Sequence, residues 1–147
     1  MGWNEVNYMG TKIRPELSKK NKYWIPRHRY YELKHFCLQY PEWKEQYSYL
    51  SSVTTPNLTN KVLNFIGGHS DPTEKCAERK IFYQCRIAML EQVAVLTDPE
   101  LAKYILMAVT YGHSYTYLKA KLDIPCSKDT YYDRYRKFFW ILSDLRD

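Results

Sequence analysis

The chain has no run of eighteen apolar residues, so nothing in it reads as a membrane-spanning helix. Its start, Met1-Gly-Trp-Asn-Glu, has neither a basic segment nor an apolar one, and Val6 stands where a myristoylation signal needs Ser or Thr. The expected location is therefore the cytosol, with no membrane partner. The four cysteines, Cys37, Cys76, Cys85 and Cys126, form no C-x-x-C pair, and His28, His35, His69 and His113 fall at no zinc-finger spacing. No metal and no cofactor are expected, and the cysteines read as buried reduced thiols. With five glycines there is also no phosphate-binding loop, no dinucleotide loop and no serine elbow. Arg27-His28-Arg29-Tyr30 has the residue types of phosphoryl transfer, yet four consecutive residues point in different directions around a helix. The chain does not read as an enzyme.

What is present is a sequence of 147 residues, enough for one domain with a real core, with fifteen tyrosines and a net charge of +6. The excess is at the ends: nine Lys/Arg against five Asp/Glu in residues 1–50, six against six in 51–111, seven against five in 112–147. A basic surface of this size suits phosphate binding, through release of condensed counterions.

Residues 1–25 mix Lys12, Arg14, Lys19, Lys20 and Lys22 with Gly, Pro and Asn and show no helical period, which predicts an irregular basic arm. From Pro26, Tyr30, Leu33, Cys37 and Tyr40 recur at three and four; Pro41-Glu42-Trp43 then opens a second helix carrying Trp43, Tyr47 and Leu50. Together they predict a helical hairpin over 26–51, followed by a linker over 52–70 with an apolar patch at Val62, Leu63, Phe65 and Ile66. Asp71-Pro72-Thr73-Glu74 has the form of a capping box and starts a helical domain, 71–147. Its long first helix runs to about Leu96, with a stripe of Ala77, Ile81, Cys85, Ala88 and Val95 widened by Phe82, Met89, Val93 and Leu96. A stripe so broad needs partners on both sides, supplied either by the N-terminal hairpin of the same chain, as in the spine of a bundle, or by a second copy, which would make a homodimer. Thr97-Asp98-Pro99-Glu100 caps the next helix, with Leu101, Tyr104, Ile105 and Ala108 on its apolar face, and Gly112 stops it.

After Gly112, Ser114 can cap a short helix, Tyr115 to Leu122, with Tyr115, Leu118 and Leu122 inward. Asp123-Ile124-Pro125 forces a turn, and Ser127 caps a final helix with Tyr131, Tyr135, Phe138, Leu142 and Leu145 in one sector and Phe139 at its edge. Short helix, tight turn and longer basic helix make the layout of a helix-turn-helix, over about 99–147. At 100° per residue, Asp129, Tyr132, Asp133, Arg136 and Trp140 lie opposite the apolar sector, with Lys137 beside them and Lys128 at the start. Lys128, Tyr132, Arg136 and Lys137 are the candidate contacts to duplex DNA, and Lys12, Lys19, Lys20, Arg27 and Arg29 candidate phosphate contacts from the arm. Asp133 either reads a base or pairs with Arg136 and Lys137. Trp140 is too apolar to stay wet and calls for a packing partner.

Ser70-Asp71-Pro72-Thr73-Glu74, Ala88-Met89-Leu90-Glu91, Tyr104-Ile105-Leu106, Gly112-His113-Ser114-Tyr115 and Ser127-Lys128-Asp129-Thr130-Tyr131-Tyr132 resemble the phage late-transcription regulators of the RinA and ArpU type. The resemblance covers about residues 70–147, with a weaker echo at Arg29-Tyr30-Tyr31-Glu32-Leu33-Lys34 and Trp43-Lys44-Glu45-Gln46-Tyr47. It implies an all-α fold ending in a helix-turn-helix like region 4 of sigma factors, a phage or prophage gene, and action on phage promoters with host RNA polymerase as partner. Pro125-Cys126 in the turn, the aromatic final helix and the basic arm depart from the pattern. The competing reading is a phage accessory protein that binds another protein: a polymerase adaptor, a packaging adaptor or an inhibitor of a host nuclease.

Overall fold

The computed structural model describes residues 19–53 and 72–146, and all their regular structure is helical. The fold is an all-α helical bundle. Its helices are α1 (Arg27–Leu38), α2 (Tyr40–Val53), α3 (Pro72–Thr97), α4 (Ala102–Tyr111), α5 (Tyr115–Leu122) and α6 (Lys128–Leu145). Lys12, the Asp71 cap and the apolar patch Val62–Ile66 lie outside the described residues. The chain divides into two compact units, Met1–Gln39 with Leu90–Asp147, and Tyr40–Met89. The boundary at Gln39 runs through the expected 26–51 hairpin, and α3 contributes to both units.

The smaller unit holds α2 and the first part of α3, with Tyr40, Trp43, Leu50 and Ile87 buried and the Lys80 ammonium 5.5 Å above the Tyr47 ring. In the larger unit α1 packs on α4 and α6, and α4 packs on α5 and α6. Tyr30, Leu33 and Cys37 of α1 are buried as their spacing predicts, joined by Phe36. They meet Tyr131, Tyr135, Phe138, Phe139 and Leu142 of α6, the face read from the sequence except for Leu145, which is exposed. The centre is aromatic: Tyr30 and Tyr135 each stand edge-on to Phe139 at 5.1 and 5.0 Å, and their hydroxyls share a buried hydrogen bond of 3.0 Å. That bond satisfies both phenols, which a dry core would otherwise penalise.

The long helix corrects an expectation. Of the nine apolar positions in the predicted stripe of α3, Val93 alone is buried; Ala77, Ile81, Phe82, Cys85, Ala88, Val95 and Leu96 are exposed and Met89 is half-buried. The covered face is Ile87, Leu90, Val93, Ala94 and Thr97. At 100° per residue Ile87, Leu90 and Ala94 lie roughly opposite Cys85 and Ala88, so α3 has two apolar faces and its own chain covers the narrower one. Thr97 fits that face because its hydroxyl bonds back to the Val93 carbonyl at 2.7 Å.

Two side-chain clusters tie α6 to the rest. At its far end Arg29 donates to Ser143 Oγ (3.1 Å), to the Ser143 carbonyl (3.0 Å) and to the Arg146 carbonyl, while Arg146 donates to Glu32 (2.9 Å) and lies 4.0 Å over the Phe36 ring. Bonds to Arg146 and Arg29 hold the Glu32 carboxyl below its usual range. Arg29 therefore clasps α1 to α6, which removes it from the phosphate contacts expected of the arm. Near the start of α6, Arg134 Nε donates to Asp98 Oδ2 at 2.9 Å, and Asp98 Oδ1 accepts from the backbone N–H of Glu100 (3.0 Å) and Leu101 (3.3 Å). Asp98 thus holds the turn that leads into α4, whose N-cap position is Leu101 and carries no side-chain bond, so it is not the cap expected from the sequence but an anchor for that turn and for α6.

Burial is the largest single influence on the Asp98 carboxyl and pushes it up, but the Arg134 guanidinium and the two backbone N–H groups together outweigh it and leave it below its usual range. A carboxyl depressed by folding stabilises the fold above its unfolded value and loses that contribution as pH falls through the folded value. Asp98→Ala is therefore expected to cost about 1–2 kcal/mol near neutrality, and the gap to wild type to close below about pH 4. Urea titrations of both proteins at several pH values check this; a gap that persists in acid would place the cost outside the ion pair.

Candidate nucleic-acid interface

The last three helices are set by local signals. Gly112, at φ 73°, ends α4 in the left-handed conformation that glycine takes without a Cβ clash. Ser114 Oγ accepts from the Tyr117 N–H at 3.1 Å and starts α5. Asp123, at φ 48°, takes the left-handed position at the end of α5, which Asp tolerates better than most residues, and its carboxylate meets Lys119 at 3.4 Å. Lys119 also donates to the Ile124 carbonyl (3.2 Å), and Tyr115 to the Cys126 carbonyl (2.9 Å). With Ile124 fully buried, the turn is pinned from both sides despite Pro125 and Cys126. Leu118 is buried as expected; Tyr115 is half-buried and Leu122, expected inward, is exposed. Ser127 Oγ accepts from Thr130 N–H at 3.2 Å and starts α6.

With Tyr131, Tyr135 and Phe138 locked in the core, the opposite face of α6 is fixed outward. Lys128 and Asp129 are exposed, and Tyr132, Arg136 and Lys137 half-buried. The Lys128 ammonium stands 5.9 Å above the Tyr132 ring, and the Arg136 charge is felt by the Tyr132 phenol, which burial raises and Arg136 lowers. Lys128, Tyr132 and Arg136, chosen from the sequence, therefore form one row, cation, aromatic, cation. From Lys128 to Trp140 the face extends roughly 18 Å. Asp133 does not pair with Arg136 or Lys137; it meets Arg134, its neighbour in sequence. Among the described residues Arg136 and Lys137 form no ion pair, so their charge stays available at the surface.

The described part of the arm comes to this face. Tyr23 packs on Trp140 at 5.5 Å, but Trp140 stays 44% exposed, so the covering expected of it is only partial; the Lys22 ammonium lies 4.9 Å over Tyr23. Lys19 stands 5.8 Å over Trp24, Lys20 is exposed, and Arg27, also exposed, lies 5.8 Å over Tyr31. Through Tyr23, Lys22 thus stands beside the Trp140 end of the α6 row. Sequence reasoning missed Arg134 and Asp98 as the pair that orients α6, because a contact across 36 positions leaves no local pattern. It also missed Tyr23 as the partner of Trp140.

Among the described residues no cluster of His, Cys, Asp and Glu could hold a metal ion, and no helix is long and apolar enough to cross a membrane. Comparison of the chain with protein-family models, with curated proteins and with solved structures finds no match.

Proposed function

We propose that the protein is a DNA-binding transcriptional regulator that grips duplex DNA with α6, using α5 and α6 as a helix-turn-helix. The observation that carries this is the row Lys128, Tyr132, Arg136 on the outward face of a helix whose inner face is anchored by packed aromatics and by the Asp98–Arg134 pair. An anchored helix with a basic outer row can enter a major groove without first being ordered, and a cation beside an aromatic suits both phosphate and base edges. Lys19, Lys20 and Lys22 on the adjoining arm supply contacts to phosphates that carry no sequence information. The resemblance to phage late regulators extends the proposal to phage promoters, with host RNA polymerase as second partner. Selection of bound fragments from a random duplex pool tests it: one enriched motif supports the reading, and a pool that stays random after repeated rounds contradicts it.

The active form in this reading is a homodimer joined along the exposed face of α3. Ile81, Cys85, Ala88 and Val95 follow an alternating four-three spacing along that face, broken by Gln92, and this spacing suits two helices packing along their length. One half-site seldom gives enough contacts for specific binding, so the enriched motif should be an inverted repeat. Ile81 and Val95 are more than half exposed, so Ile81→Glu and Val95→Glu leave the folded chain intact and place a carboxylate in the seam. Sedimentation equilibrium should show a dimer for wild type and a monomer of unchanged helicity for each variant. A wild-type monomer at micromolar concentration, free and on DNA, would sink the dimer. The same apolar face favours the second reading, an accessory protein whose α3 takes a different protein; that reading predicts a monomer with no preferred duplex.

A further inference from the structure

The junction of α4 and α5 carries an aromatic cluster that the duplex interface does not use. The His113 imidazole stacks face to face on the Tyr117 ring, centroids 4.1 Å apart and planes within 19°. The Tyr111 ring lies 5.9 Å from it, its plane within 14°. Most ring pairs in the core meet at steep angles, as Tyr30 and Tyr135 do with Phe139; here three rings run nearly parallel. They also lie at the surface, with Tyr111 55% and Tyr117 41% exposed. Gly112 makes the arrangement possible: its left-handed turn brings the chain round between Tyr111 at the end of α4 and His113 ahead of the Ser114 cap.

Exposed rings gain nothing for the core from being parallel. They do offer broad π faces to a further flat ring whose polar edge can remain in water. Exposed tyrosines suit a protein partner as well, so the charge beside them decides. The nearby charge favours a polyanion. Lys121 stands four residues after Tyr117 on the same face of α5, exposed and without an ion-pair partner among the described residues, while the nearby acid, Asp123, is engaged by Lys119. Parallel rings flanked by a cation match a nucleobase and the phosphate joined to it.

We propose that Tyr111, His113 and Tyr117 form a stacking site for unpaired nucleobases, so that the protein binds locally opened DNA more tightly than fully paired DNA. The proposal rests on the duplex-binding reading, which supplies the paired part of the same DNA. The test measures fluorescence anisotropy with two labelled probes of one sequence, a fully paired duplex and the same duplex with a short central mismatch bubble. Wild type should bind the bubble roughly 10-fold or more tightly than the paired probe, the size expected of one or two stacked bases. Tyr111→Ala/Tyr117→Ala should abolish that preference and leave paired-duplex affinity unchanged, and Tyr111→Phe/Tyr117→Phe should keep it. Both variants change exposed positions, and circular dichroism checks that helicity is retained. Lys128→Ala/Arg136→Ala should weaken both probes alike. Equal wild-type affinity for the two probes, or a preference that survives the double alanine, overturns the stacking site while the duplex reading stands. Failure to bind the paired probe overturns both.

Discussion

Reversing the charge of Lys128 and Arg136 together is expected to lower duplex affinity at least about 100-fold, since each phosphate or base contact of this kind carries about 1–3 kcal/mol and a carboxylate near phosphates repels. Fold stability should hardly move. Neither side chain is part of the core, and Lys128→Glu puts a negative charge in the first turn of α6, where the helix dipole favours it. Arg136 pairs with no carboxylate among the described residues, so no acid is left stranded. Electrophoretic mobility shift on a selected site, with urea melting of the same samples, separates the two effects. Lys103→Glu, an exposed cation on α4, is the matched control and should cost a few-fold at most. Near-wild-type affinity for the double reversal would place the docking face elsewhere.

Phe138→Ala should have the largest effect on stability. The ring is fully buried, packs edge-on to Phe139 at 5.3 Å and sits on the face of α6 that meets α1 and α4. Removing it opens a cavity between interlocked rings that cannot easily collapse, so a loss of about 3–5 kcal/mol is expected, a large share of the total stability of a small domain. Tyr30→Phe makes the contrast: the ring stays, the 3.0 Å bond to Tyr135 is lost and one buried hydroxyl is left unsatisfied, for about 1–3 kcal/mol. Urea midpoints for the two variants check both size and order; a milder effect at Phe138 than at Tyr30 would mean that polar pairing, not ring packing, dominates the core.

The elements legible in the sequence were those written in local chemistry. Ser114 and Ser127 as caps, Gly112 as a stop and the three-four spacing of Tyr131, Tyr135, Phe138 and Leu142 depend on neighbours within one or two turns, and the structure places them as read. The outward row of α6 followed from the same spacing. What the sequence hid was which surface meets which. On α3 the more apolar face is the uncovered one, because helical periodicity measures how apolar a face is and not what stands beside it. Arg29 looked like a surface cation on a basic arm, but its partners lie 114 and 117 positions away. Asp133 had Arg136 and Lys137 within helical reach and pairs with Arg134 instead, beside the Asp98 carboxylate that Arg134 also binds.

The most direct test of duplex binding through a basic helix and arm is the affinity for one paired duplex measured from about 50 to 200 mM salt. The account predicts that log affinity falls linearly with log salt, with a slope of several counterions, and that the slope shrinks by about two when Lys128 and Arg136 are both replaced by alanine. An affinity that does not change with salt, or a slope identical in the double variant, would contradict it.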